Sequence, residues 1–117
     1  MVSFYEQRIV QHYGQLDSKY HDYGAYLRGL TKPPLEYYKM FYNDTAIHGN
    51  TPALMLAYKF WGAEQLIFGA DMPLGDATFG MRSYSQTIDA IEAMDISEAE
   101  RQMIFGGNVA RLLRIEA

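Results

Sequence analysis

Between Met40 and Ala70 the chain reads as strand, helix, strand, and that order constrains its fold more than any other feature. Met40-Phe41-Tyr42-Asn43-Asp44-Thr45 carries β-favouring rings and ends on a polar pair, the composition of a strand tip. Thr51-Pro52 opens a helix, with a hydroxyl to cap a free N–H and a proline in the first turn. Leu54, Leu56, Tyr58, Phe60 and Trp61 make that helix apolar on most sides, and Gly62 fits the left-handed residue after its end. Leu66 to Ala70 form the second strand. A crossover helix returns the chain to the end of the sheet where it started, so the two strands run parallel. Two parallel strands are not a stable sheet by themselves, because such sheets are covered on both faces and have more members. Their outer edges would stay unpaired. The class is α/β, and the sheet calls for strands beyond this pair.

The flanking segments read as helices. Tyr5, Ile9, His12, Tyr13 and Leu16 recur at helical spacing over residues 3–16, and Gly14 weakens the last turn. Residues 17–34 are polar and tyrosine-rich and read as a loop. Pro33-Pro34 opens a short helix through Tyr38. A loop over 72–80 precedes a helix over 84–94. Ser97-Glu98-Ala99-Glu100 is a capping box, in which hydroxyl and carboxylate each satisfy a backbone group. The helix it starts runs to Phe105, Gly106-Gly107 breaks it, and Asn108 caps a last helix to residue 115.

Composition excludes several classes of function. A chain of 117 residues is one domain at most. The net charge of −4 and the lack of a basic block remove the footprint of a nucleic-acid binder. The absence of cysteine removes disulfides and thiol catalysis. No apolar run is long enough to span a bilayer and no signal-peptide core is visible, so a soluble cytoplasmic protein is expected.

The chemistry-bearing residues gather after the strands. In Leu66-Ile67-Phe68-Gly69-Ala70-Asp71-Met72-Pro73 a buried strand ends on a carboxylate, and the carboxyl ends of parallel strands are where α/β folds place their chemistry. Asp71 is a candidate metal ligand or general base. Its alternative is a loop cap through a backbone N–H. Asn43 and Asp44 sit at the tip of the first strand, facing the same mouth, where two carboxylates could share acid–base work or Asp44 could hold the loop containing Thr45 and Asn50. His48 follows Asp44 by four residues, as a ligand pair or as part of a polar loop. His12 and His21 read as solvated and belong to no metal-binding spacing. Gly106-Gly107-Asn108 lacks the spacing of a phosphate loop.

Four stretches in order resemble the C-terminal part of metal-dependent amidohydrolase-type (β/α)8 TIM barrels, nearest the family 2 branch that contains aminocarboxymuconate-semialdehyde decarboxylase and related aromatic-acid decarboxylases. Tyr38-Lys39-Met40-Phe41-Tyr42-Asn43-Asp44-Thr45 resembles the family's seventh strand, and Leu66 to Pro73 its eighth. Ile96-Ser97-Glu98-Ala99-Glu100 and Ile104-Phe105-Gly106-Gly107-Asn108-Val109-Ala110-Arg111-Leu112-Leu113 resemble its closing helices. Met1 to Ile9 is similar to the segment after strand six. The resemblance implies that residues 1–117 are an incomplete domain, the last third of a barrel of ~250 residues or more. It implies that Asp71 is the strand-eight aspartate, both metal ligand and proton acceptor, in a hydrolase or decarboxylase of small carboxylic or aromatic acids. The strand-one His-x-His pair and the histidines of strands five and six are missing, and Ala70 and Met72 stand where the family usually carries Ser or Thr and an aromatic.

The parent enzyme is thus expected to hold a divalent metal, zinc or manganese, and a small-molecule substrate. This chain by itself is expected to hold no metal and to be inactive. Neither nucleic acid nor membrane is expected as a partner. Open strand edges imply a homo-oligomer. A non-catalytic interaction module and a subunit of a split barrel are the alternatives.

Overall fold

The computed structural model describes residues 2–14, 30–74, 77 and 80–115. They form two compact units, Met1–Phe41 and Tyr42–Ala117.

In the first unit a 3-10 turn, Val2–Tyr5, leads into helix α1, Glu6–Gly14, which packs against the short helix α2, Pro34–Tyr38. Proline opens α2, as the sequence indicates. None of its described residues is buried. His21 and the loop expected over 17–34 fall largely outside the described residues.

The second unit carries the parallel pair. Strand β1, Asn43–Asp44, is followed by helix α3, Thr51–Trp61, a 3-10 turn, Ala63–Gln65, and strand β2, Leu66–Ile67. The strands pair in parallel, Asn43 with Leu66 and Asp44 with Ile67. Both are shorter than expected. The start of the first was misread because turns continue past the end of α2: Lys39 N–H donates to Leu35 O, Met40 N–H to Tyr37 O and Phe41 N–H to Tyr38 O. Amides used in a helical end are unavailable to a sheet. Beyond Asp44 the Thr45 side chain takes over from the backbone. Its hydroxyl, wholly buried, donates to Gly69 O and accepts from Gly69 N–H, both at 3.0 Å.

The helix α3 starts one residue earlier than its proline suggests. Asn50 is the cap, its Oδ1 accepting from Ala53 N–H at 3.1 Å, and Thr51 Oγ1 instead donates to Ala90 O. Gly62 ends the helix at φ 78°, a conformation that favours glycine.

Helix α4, Met81–Glu92, buries Ser83, Thr87, Ala90 and Ile91, which share one face. Its final carbonyls meet Arg101, whose guanidinium donates to Ile91 O, Glu92 O and Met94 O while pairing with Glu98. A cation at a helix C-terminus also complements the dipole.

A helical run over 98–113 closes the unit. It comprises α5, Glu98–Gln102, a five-residue π segment, Met103–Gly107, and α6, Asn108–Leu113. The capping box forms as read: Ser97 N–H and hydroxyl meet the Glu100 carboxylate, and Glu100 N–H meets Ser97 Oγ. The expected break at Gly106-Gly107 is not there. Gly107 keeps helical angles, φ −58° and ψ −40°, and the chain widens instead of stopping. Asn108 N–H reaches back to Met103 O, one residue further than in an α-helix. The Ile104 carbonyl, bypassed by that amide, accepts from Phe68 N–H at 3.0 Å.

Asn108 is therefore no cap. It is 1 % exposed, and its Nδ2 donates to Ala63 O at 2.7 Å and Leu66 O at 2.8 Å. Successive strand residues aim their backbone groups at opposite edges. Leu66 and Phe68 thus share one edge of β2, while Gly69, in phase with Ile67, meets β1 through Thr45. The edge of β2 away from β1 is closed at those two residues by the C-terminal helical run.

The core is Leu54 and Ala57 from α3, Leu66 from β2, Ala90 and Ile91 from α4, Met94 after it, and Ile104 from the π segment. Tyr58 extends this packing by donating to Glu100 Oε1 at 2.7 Å. That bond, with those from Ser97, holds the Glu100 carboxyl below its ordinary value. A depressed carboxyl contributes stability above its unfolded value, and this is lost as pH falls through the folded value. Tyr58→Phe is expected to raise the Glu100 value and move the acid limb of the unfolding curve to higher pH. Carbon-detected titration of Glu100 in both proteins checks it.

Candidate functional site

The carboxyl ends of β1 and β2 lie side by side, and the candidate residues are placed around them. Asp44 ends β1 and is exposed. Its Oδ1 accepts from Ala46 N–H at 2.8 Å, an Asx turn that begins the following loop. A Cβ added to Gly69 would stand 3.1 Å from Asp44 Cβ, so the glycine lets the two strand ends close up.

Asp71 follows three residues of extended chain after β2 and is exposed, with φ 58°. Aspartate tolerates that region better than most non-glycine residues, and such positions cluster at functional sites. Its backbone carbonyl closes a tight turn by accepting from Leu74 N–H at 2.9 Å, and the Met72–Pro73 bond within that turn is cis. The loop-cap alternative therefore has the wrong atom: the backbone oxygen makes the turn. The carboxylate makes no hydrogen bond to a described residue. The turn is packed against the start of α4, where a Cβ on Gly80 would stand 3.1 Å from Met72 Cα and 3.2 Å from Leu74 O.

His48 also has a left-handed backbone, φ 50°, and the next residue, Gly49, has φ 80°. A Cβ on Gly49 would stand 3.1 Å from Gln86 Cβ and 3.3 Å from Gln86 O, so this glycine presses the loop onto α4. That close approach brings His48 Nδ1 to 3.3 Å from Ser83 Oγ. Ser83, 3 % exposed, donates to Ala70 O at 2.9 Å. A serine has one hydroxyl proton. With that proton on Ala70 O, Oγ accepts from His48 Nδ1–H.

Asp44 and His48 thus have separate hydrogen-bond partners. A cleft of about 230 Å³ opens beside His48, lined also by Gly49, Thr51, Gln86, Asp89 and Ala90; neither Asp44 nor Asp71 is in its lining. His12 lies in α1, in the other unit. Among the described residues no three His, Cys, Asp or Glu side chains gather as a metal-binding group. A catalytic metal takes three or more protein ligands. Asp71 alone does not meet that requirement, so the described residues do not fit a complete metal centre.

Ser83 and Thr45 were missed as site-forming residues by sequence reasoning. The available signal was Ser83 and Thr87 on the same helical stripe as Ala90 and Ile91, since a hydroxyl on a buried face needs an acceptor. Thr45→Val keeps the shape of Thr45 and removes both bonds to Gly69. It is expected to destabilise the unit by about 2 kcal/mol and to speed exchange of the Gly69 amide. Urea unfolding and hydrogen exchange check it.

The sequence profile of the amidohydrolase family matches residues 8–115. No curated protein matches the chain.

Proposed function

The chain belongs to the amidohydrolase family, and from that premise we propose that it supplies the last two staves and closing helices of a family 2 barrel, in the decarboxylase-like branch. The observation carrying this reading is Asp71 four residues beyond the carboxyl end of β2, a strand held in a parallel pair by a helical crossover. A closed barrel of this kind places its chemistry at that end of the strands.

In the intact enzyme a divalent metal would supply Lewis acidity toward a small carboxylic or aromatic acid. Asp71 would be one ligand of a set whose histidines come from strands outside residues 1–117. This chain's own part is to present an exposed carboxylate, without a partner among the described residues, beyond the carboxyl end of β2. Alone it is inactive, because one carboxylate does not make a metal centre.

The test is metal analysis and turnover. Purified chain dialysed against zinc or manganese is expected to retain far less than one equivalent and to show neither hydrolysis nor decarboxylation of small aromatic acids. Co-expressed with the first six strands of a family barrel, it is expected to gain both properties, and Asp71→Ala to remove them. Turnover by the repurified chain alone that disappears in Asp71→Ala would overturn the inactivity.

A split barrel, completed by a separate polypeptide, is the second reading. Leu56, Met72, Leu74 and Met81 favour it, being large apolar side chains between 38 and 63 % exposed. Self-assembly through strand edges is the third, and β1 is its edge, since the C-terminal helical run covers β2 at Leu66 and Phe68. Size-exclusion mass separates the two.

A further inference from the structure

We propose that His48 and Ser83 are positioning residues for Asp71, holding its backbone in the left-handed conformation that sets the direction of its carboxylate. This rests on the reading that Asp71 is the working carboxylate.

The carbonyl of Ala70 and the N–H of Asp71 belong to one rigid peptide plane. Fixing the direction of that carbonyl fixes the peptide plane before Asp71, and the Leu74 N–H bond to Asp71 O fixes the plane after it, so the two bonds together set φ of Asp71. Ser83 does this from a helix: its hydroxyl, buried on α4, donates to Ala70 O at 2.9 Å. Ala70 is itself 7 % exposed, so water does not readily replace the bond.

Ser83 alone could turn its proton elsewhere, for Oγ rotates about a single bond. The His48 ring removes that freedom. With Nδ1–H donating to Oγ at 3.3 Å, the remaining direction for the hydroxyl proton is Ala70 O. His48 reaches Ser83 because its own φ is 50° and because Gly49 lets the loop touch Gln86, one turn along α4. Among the described residues three non-glycine positions have positive φ, and two of them, His48 and Asp71, are the two ends of this chain of contacts. Left-handed positions persist where the surroundings over-determine them.

The test uses the full chain, labelled with ¹⁵N and ¹³C. The readouts are the φ-dependent coupling and Cα shift of residue 71 and the exchange rate of its amide. Ser83→Ala and His48→Ala are expected to move the coupling and shift toward extended values and to speed exchange about three- to tenfold. His48→Asn is expected to restore the native values, because Asn Nδ2 occupies the place of His Nδ1 and asparagine tolerates positive φ. A merely structural role would lower the melting temperature without this site-specific change or its rescue. The amides of Leu66 and Ile91 report whether each variant is folded. Since His48 is exposed, His48→Ala keeps the test open if Ser83→Ala fails to fold. An unchanged residue 71 in His48→Ala, or a His48→Asn variant that behaves like His48→Ala, overturns the proposal. Asp71→Asn separates it from the reading beneath: the torsional signature stays, while the completed barrel loses its metal. A completed barrel that keeps metal and turnover in Asp71→Asn sinks the reading and leaves the positioning intact.

Discussion

Replacing Asn108 by alanine is expected to destabilise the second unit by about 3 kcal/mol, visible as a lower urea midpoint at an unchanged slope. The side chain is 1 % exposed and donates to two carbonyls, Ala63 O and Leu66 O. Its Oδ1 also accepts from Arg111, which in turn donates to Glu64 O. Removing the amide leaves two acceptors without that donor in a place water does not reach, and each such loss costs about 1–3 kcal/mol. A small unit with total stability of about 5–15 kcal/mol feels this strongly. Asn108→Asp is the sharper variant. Nearly the same shape then aims a carboxylate at two carbonyl oxygens, so its folded value is raised. Below about pH 4, the unfolded value, the protonated acid can still donate one bond. As pH rises above that the loss grows, and it levels off only above the raised folded value. Stability measured against pH in the two variants should therefore diverge, with Asn108→Asp the weaker at neutral pH.

Ile91→Ala is expected to cost about 2–5 kcal/mol, the range for emptying a fully buried aliphatic site. Ile91 is wholly inaccessible and sits in the cluster formed by Leu54, Leu66 and Ile104. The backbone around it is held firmly: Ile91 O accepts from Arg101, and Ala90 O from Thr51. A pinned frame relaxes poorly into a cavity, which places the cost toward the upper end. Ile115→Ala is the control. That residue is 58 % exposed, and its truncation should stay within about 0.5 kcal/mol. Thermal or urea unfolding of the pair checks the contrast.

Local signals in the sequence carried through where the physics is local. The Ser97–Glu100 capping box, the proline that opens α2 and the glycine that ends α3 each depend on a few neighbouring residues, and all three are present. The parallel pairing of the strands followed from the crossover helix. Misreadings arose where a distant partner decided. Gly106-Gly107 looks like a stop, since glycine is a poor helix former. Yet Asn108, drawn to carbonyls forty-five and forty-two residues earlier, keeps the helix running through a π segment. Thr51 looks like a cap until Ala90 O claims its hydroxyl and Asn50 takes over.

For the candidate site the division is the same. The exposed place of Asp71 after β2 was legible because a carboxylate that directly follows an apolar run stands where side chains leave the core. The amidohydrolase family was legible because order and spacing of four stretches are properties of the chain alone. Ser83, Thr45 and the orientation of His48 were not, because each depends on hydrogen bonds across thirteen to thirty-five residues, which no local pattern encodes. Periodicity, caps and turn residues fix which segments are helix or strand, since those preferences act over one or two turns. Which buried hydroxyl or amide holds which carbonyl is decided only when packing removes water and leaves each polar group to find its partner.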